Sequence, residues 1–345
     1  MFNLRRLSFV VGSALVLGTL TPMAAFADPS IEELPALDGA SGAGAWGVND
    51  DGVAVGWSNV DDTSHAVRWD PDGSVNDLGT LEGDTGSRAY GINAVGAIVG
   101  SSSNADHRRA ILWTPEGEIT ELASLPGFDF CEAKAISERG EMAGWCATYD
   151  YVYGGHAVRW TAEGEVTDLG TLPGGHTSIA TGISSDGTVA GSGDDAEGRT
   201  QALRWDPDGK VVALPNVRNG YYSVANGINN DNTIVGTLQA SLDHDFGVFA
   251  IRWNTDGTVT ELGRLPNSFR YNSDARAIND AGVIVGASEN EQHRSNPARW
   301  TTPTSVTDLG TLDDAGPGTI SFATAISSNG LIVGSSGGKA ARWTE

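Results

Sequence analysis

Positive charge is scarce in this chain: 21 lysines and arginines stand against 44 aspartates and glutamates, for a formal net charge of −23. That balance excludes nucleic acid and anionic membrane surfaces as partners, because both need a cationic face. The acids are scattered over many short loops instead of gathered in one tail, the pattern of a solvated, salt-tolerant surface. Cysteine is nearly absent, with only Cys131 and Cys146. After the first 27 residues no apolar run approaches the roughly 20 residues that a spanning helix needs, so no membrane span is expected. No pair of histidines has the H-E-x-x-H spacing of a helical zinc site, and the acidic tracts LDHDF (242 to 246) and GSGDDAEG (191 to 198) lack the ligand order of an EF-hand loop. The sequence predicts neither a metal nor a cofactor.

The opening, MFNLRRLSFVVGSALVLGTLTPMAAFA, sets Arg5 and Arg6 before an apolar core and ends with Ala25 and Ala27 at the positions a signal peptidase reads. Residues 1–27 are therefore predicted to be a secretory signal peptide cut before Asp28. Its removal takes away two arginines and no acids, leaving −25 on a secreted, extracellular and monomeric chain. In an oxidising compartment a Cys131–Cys146 disulfide is expected.

What fills the chain is one unit repeated seven times. Its first segment reads Ala-x-(Gly/Ala)-(Ile/Val)-(Asn/Ser) and begins at Ala45, Ala89, Ala133, Ala180, Ala225, Ala275 and Ala323, 44 to 50 residues apart. A tight turn follows each copy; six of the turns end in glycine and the seventh in Asn232, as a slot requiring positive φ demands. The second segment is typified by GAIVG at 96 to 100, and the third ends in Trp69, Trp113, Trp160, Trp205, Trp253, Trp300 and Trp343. HAVRW stands at 65 to 69 and again at 156 to 160, but across the copies its first letter varies (His65, Arg109, His156, Gln201, Phe249, Asn296, Lys339) while the tryptophan does not. A once-per-unit aromatic suits packing between neighbouring sheets. The fourth segment is DLGTL at 77 to 81, 168 to 172 and 308 to 312, with looser copies elsewhere.

The last repeat lacks its fourth segment, and IEELPAL at 31 to 37 supplies a spare one ahead of the first repeat. The chain ends can thus complete one sheet together. The predicted fold is all-β: a seven-bladed β-propeller with four-stranded blades, its ring closed by the N-terminal strand 31–37. It forms a single domain over 28–345, with blades near 45–81, 89–125, 133–172, 180–217, 225–265, 275–312 and 323–343. An open β-solenoid is the rival architecture, although it would not need the two partial repeats to sum to one.

Serine occupies the slot two residues before the first-segment alanine at Ser87, Ser178, Ser223, Ser273 and Ser321. Five copies read as hydroxyls bonding backbone at a strand entrance, not as nucleophiles. Cys131 takes this slot in the third unit, and counting outward from the SERG turn sets it opposite Cys146.

Together the segments HAVRW, DLGTLPGG (168 to 175) and GIN/IVG (227 to 236) resemble the HAF repeat family of extracellular bacterial proteins over essentially the whole mature chain. The resemblance implies secretion and a propeller-like repeat; it carries no catalytic motif to transfer.

Tight turns share one end of such a blade and long connections the other, so the long-loop face is the predicted binding surface. His65, His107, His156, His176, His244 and His293 lie in or beside the long connections, as do Tyr149, Tyr151, Tyr153, Tyr221, Tyr222 and Tyr271. Tyrosine offers rigid amphipathic contact area. The predicted function is a non-enzymatic recognition scaffold for a secreted protein or an extracellular glycan, with no catalytic residue assigned. One alternative is a polysaccharide lyase or hydrolase with an axial site, using His156 or Tyr222 with Arg88, Arg109 or Arg276. Another is a modulator or cross-linking substrate of a co-secreted enzyme such as a protease, with Gln201, Gln239 and Gln292 as the exposed amides.

Overall fold

A computed structural model describes residues 30–148, 154–242, 245–266, 268, 272–312 and 319–344. The expected signal peptide lies outside them. All regular structure among the described residues is β, and no helix is long and apolar enough to cross a membrane.

The second unit shows the plan. Its strands Gly86–Ile92, Ile98–Ser103, Arg108–Trp113 and Ile119–Glu121 follow one another as an antiparallel meander. Turns enforce the order: Gly96 and Gly117 adopt φ of 86° and 90°, and Asn232 takes the same slot at 60° where glycine is missing. The first strands of successive units touch in a closed cycle, so they form the inner wall of a ring. This is a β-propeller arrangement.

Five four-stranded sheets stand apart, while the second and third units are joined into one sheet of eight strands. The expectation of seven separate blades is corrected on this point. The join is a single parallel pair, Phe130 with Arg108, helped by the Arg108 N–H donating to Asp129 O at 3.2 Å. The connection between the two units lies close enough there for a ladder contact to cross from one to the other.

Ring closure rests on the strand Ser30–Glu33, which runs antiparallel to Lys339–Thr344 with Ser30 opposite Thr344. It is shorter than the 31–37 expected, because Leu34 turns inward to 2% exposure in the core. Lys339 pairs with Glu33 at 2.8 Å, and Arg342 pairs with Glu32.

Hydrophobic burial is distributed between units, not within them. Seven clusters form, each from the facing sheets of consecutive units, such as Val55 and Ala66 against Ala89, Ile98, Ile111 and Trp113. The third-segment tryptophans are 0 to 3% exposed and fill these seams. Six of them also donate Nε1–H to a fourth-segment carbonyl of the preceding unit, as Trp160 does to Ala123 O at 2.7 Å. Trp205 is the exception, its buried Nε1 having no partner among the described residues. Gly170 O, at the corresponding place, instead accepts from Ser178 Oγ at 2.8 Å.

The serine slot also bridges units. Ser87, Ser178, Ser223 and Ser273 accept backbone N–H bonds from Ala66, Ala157, Ala202 and Ala250, each on the third strand of the unit before. Cys131 occupies that slot and forms a disulfide with Cys146, directly across the hairpin in register.

Candidate functional site: the axial cavity

Every letter of the first segment acquires a place on the inner strand. The alanine is buried in a seam between units, as Ala89 is at 0% exposure. The residue after it is a β-bulge in all seven units, for the register skips Trp46, Tyr90, Lys134, Thr181, Asn226, Arg276 and Thr324 in turn. A bulged residue is released from ladder pairing and its side chain is re-aimed; here all seven line the axis. The bulge crowds the second strand: a Cβ on Gly100 would sit 1.9 Å from the Arg88 carbonyl oxygen. Next comes glycine or alanine, where inner strands approach closely; a Cβ on Gly47 would lie 3.3 Å from Gly91 Cα.

The aliphatic letter divides the axial space in two. Val48, Ile92, Ile136, Ile183, Ile228 and Ile278 line two cavities at once and so stand between them. The larger cavity, about 940 Å³, lies on the long-connection side. The smaller, about 220 Å³, is lined by tight-turn residues. The final letter ties units together: Asn49 Nδ2 donates to Asn93 O, Asn93 to Ser137 O, Asn229 to Asn279 O, and Asn279 to Ser327 O, at 3.1 to 3.3 Å.

The seven bulged side chains divide by size. Thr181, Asn226 and Thr324 bond a carbonyl of the next unit (Ala225, Ala275 and Ala45) and serve the ring. Trp46, Tyr90, Lys134 and Arg276 extend into the cavity. Tyr90 stacks on Trp46 with centroids 5.0 Å apart, and Lys134 Nζ lies 3.6 Å from the Tyr90 centroid on a cation–π contact. Beneath them Glu132, 5% exposed, accepts from Tyr90 Oη at 3.0 Å, Arg108 Nη1 at 2.7 Å and Trp145 Nε1 at 3.2 Å, and pairs with Lys134 at 3.0 Å. Burial alone would raise the Glu132 pKa, but the Lys134 and Arg108 charges outweigh it and hold the carboxyl below the ordinary glutamate range. Burial and then the Glu132 charge push the Tyr90 phenol well above its usual range, so it remains a donor. Across the axis Arg276 pairs with Asp274 at 2.9 Å and lies 3.8 Å over the Phe322 ring.

The residues predicted from sequence do not converge. His65 and His156 sit on third strands and bond Asp77 and Asp168 of the outermost strand, each at 2.8 Å, at the periphery of the ring. Arg109 holds the same position in its unit and pairs with Glu121 and Asp84. His107 bonds the fully buried side chain of Asp84 at 3.0 Å. His293 bonds Glu289 at 2.9 Å and takes positive φ in its turn. His176 is exposed and gives its backbone N–H to Asp194. Tyr221 is 42% exposed, whereas Tyr222 lines the cavity together with Arg88, Arg276 and Gln239. Of the other glutamines, Gln201 bonds Asn216 and Asp195, and Gln292 bonds Glu291. Tyr149, Tyr151, Tyr153, His244 and Tyr271 fall outside the described residues. No group of three or more metal-ligating side chains occurs among the described ones.

Sequence reasoning passed over the bulged ring. Its signal was the x of the first segment, a position holding seven side chains of six different types amid near-constant neighbours.

No protein-family model matches the chain, and no characterised protein matches it in sequence. Solved structures match its fold. A streptogramin B lyase is 16% identical with a TM-score of 0.60 over 92% of this chain and 97% of that one. Virginiamycin B lyase from Staphylococcus aureus is 15% identical with a TM-score of 0.61 over 92% and 99%. A puromycin hydrolase variant is 14% identical with a TM-score of 0.55, over 86% of this chain and 50% of its own. At such identities the likeness establishes a β-propeller fold and nothing of the chemistry.

Proposed function

We propose that this chain is a secreted, non-enzymatic recognition scaffold that holds its ligand in the axial cavity on the long-connection face. The observation carrying this reading is the bulged ring: one backbone device, repeated in every unit, aims chemically different side chains at one space. A scaffold of constant frame and variable lining is how binding specificity is built without altering the fold. We take the two halves of the eight-stranded sheet as two blades, which gives seven units around the axis, and we assign the repeat to the HAF type. The signal-like opening and the disulfide support export; N-terminal sequencing of protein recovered from culture medium, starting at Asp28, is the expected result. The binding test compares the mature protein with a Trp46→Ala, Arg276→Ala double variant in a glycan array and in capture from co-secreted material. Selective retention by the unaltered protein is expected; identical or blank results for both would remove the reading.

The lyase alternative keeps one supporting observation, that Tyr222, Arg88 and Arg276 line the same cavity; His156 and Arg109 lie outside that lining, bonded to the outermost strands. Tyr222 would then be the base. Release of unsaturated product from uronate polymers, lost in Tyr222→Phe, would favour it over simple binding.

A further inference from the structure

Building on the recognition reading, we propose that the axial cavity takes the terminal residues of an acidic saccharide, with the sugar carboxylate held at Arg88. In a chain of net charge −23, the cavity lining carries three cations, Arg88, Lys134 and Arg276, against the two carboxylates of Glu132 and Asp274. A local excess of positive charge inside a concave wall focuses the field on an anion despite the acidic exterior. The two carboxylates are already engaged, Glu132 by Lys134 and by Arg108 from outside the lining, and Asp274 by Arg276.

Arg88 differs from the other cations. It is exposed at the long-connection end of its inner strand, and its described side-chain bond is to the neutral Ser64 Oγ at 3.2 Å. No carboxylate pairs with it among the described residues. A guanidinium in this state offers a fork to a planar carboxylate. Beside it the Trp46–Tyr90 stack supplies an aromatic wall, and Tyr222, Gln239 and Asn272 supply neutral hydrogen-bonding groups facing the same space. Aromatic surface, neutral amides and hydroxyls, and one guanidinium without a carboxylate partner among the described residues suit a polyhydroxylated ring bearing one carboxylate.

The aliphatic ring forms the floor of the site. A polymer in the large cavity would have to thread between these side chains to reach the small one, so the site favours an end over the middle of a chain. A volume of about 940 Å³ is near the top of the range of roughly 300–1,000 Å³ for small-ligand sites, enough for a short oligomer.

Isothermal titration of the mature protein with trigalacturonate, maltotriose and hexaglutamate separates the components. Trigalacturonate is expected to bind, with affinity falling as salt rises. Maltotriose should bind at least about tenfold more weakly through the loss of one charge-assisted contact. Hexaglutamate, which keeps carboxylates but has no sugar ring for the aromatic wall, should also bind at least about tenfold more weakly. Arg88→Ala should weaken trigalacturonate about tenfold, Arg88→Lys less, and Arg199→Ala, an exposed loop residue paired with Asp195 and Glu197 and outside the cavity lining, not at all. Equal masses of long and short polygalacturonate should bind in proportion to their chain ends. Equal binding of maltotriose, or indifference to Arg88→Ala, overturns the anionic assignment. Preference for hexaglutamate overturns the saccharide. Absence of binding by every probe overturns the inference alone, provided the double-variant capture comparison still shows selective retention; if that also fails, the recognition reading falls with it.

Discussion

Arg108 reaches from the third strand of one unit to Glu132 on the inner strand of the next, 2.7 Å from Nη1 to Oε1. This ion pair stands where, among the described residues, the second and third units are joined into one sheet. The frame of the ring and the wall of the cavity are therefore stabilised by the same carboxylate.

Glu132→Gln should lower the unfolding free energy by about 2 kcal/mol, less than for a fully enclosed pair because Arg108 and Lys134 keep some contact with water. The carboxyl is held below its ordinary range in the folded state, so its contribution is complete above the unfolded glutamate value of about 4.3 and is lost as pH falls through the folded value. Urea titrations across acidic pH should show a shallower loss of stability in the variant than in the parent.

The disulfide and the serine slot can be separated. Cys131 and Cys146 lie 15 residues apart in sequence, and losing their bond should cost about 3 kcal/mol. Cys131→Ser with Cys146→Ala restores the hydroxyl that bonds backbone in other units, so it should be about 1 kcal/mol more stable than the double alanine variant. Denaturant midpoints of the two variants give the comparison; equal midpoints would mean that the slot's hydroxyl contributes nothing here.

Two tryptophans with the same packing role should respond differently to phenylalanine. Trp160→Phe forfeits the part-buried bond to Ala123 O, a loss of about 1 kcal/mol beyond packing. Trp205→Phe removes a buried N–H that already has no described partner, so it should cost less. Thermal unfolding of both proteins would reveal a reversed order if the Nε1 bonds are immaterial.

His65→Ala should change stability by less than about 1 kcal/mol, as expected for a partly exposed pair, and should leave ligand binding unaltered. Its partner Asp77 lies on the outermost strand, away from the axis. A marked loss of binding would return the histidines to the site.

These contrasts show what the letters of the repeat could and could not say. Strand order, turn positions and closure of the ring by the chain's first strand were legible, because each follows from local periodicity: glycine at positive φ, a tryptophan at each seam, one fourth segment too many at the front. HAVRW was legible as construction, since its tryptophan held constant. The partner of its first residue was not legible, because Asp77 and Asp168 lie 12 positions downstream across a hairpin. The cavity was hidden for a related reason. A bulge follows from register, and variation at Tyr90 or Lys134 looks like tolerance until the strand is seen to turn that position inward. Tyr90 lies within a strand, away from the long connections that direct attention to the other tyrosines, although its ring stacks on Trp46 and carries Lys134. The sharing of a sheet by two units left no mark in the sequence, since one pair of residues creates it.

The pairing of Ser30 with Thr344 also fixes an order of assembly. Units can stack on one another as they are made, since each seam joins neighbours in sequence. The leading strand has no such neighbour: its partner, Lys339–Thr344, lies at the other end of the described chain and is made long after it. Until then both edges remain open, and each is as complementary to the other edge of a second copy as to its own. Where the protein is concentrated while still unclosed, the expected error is exchange of this strand between molecules, yielding dimers with intact blades and borrowed ends.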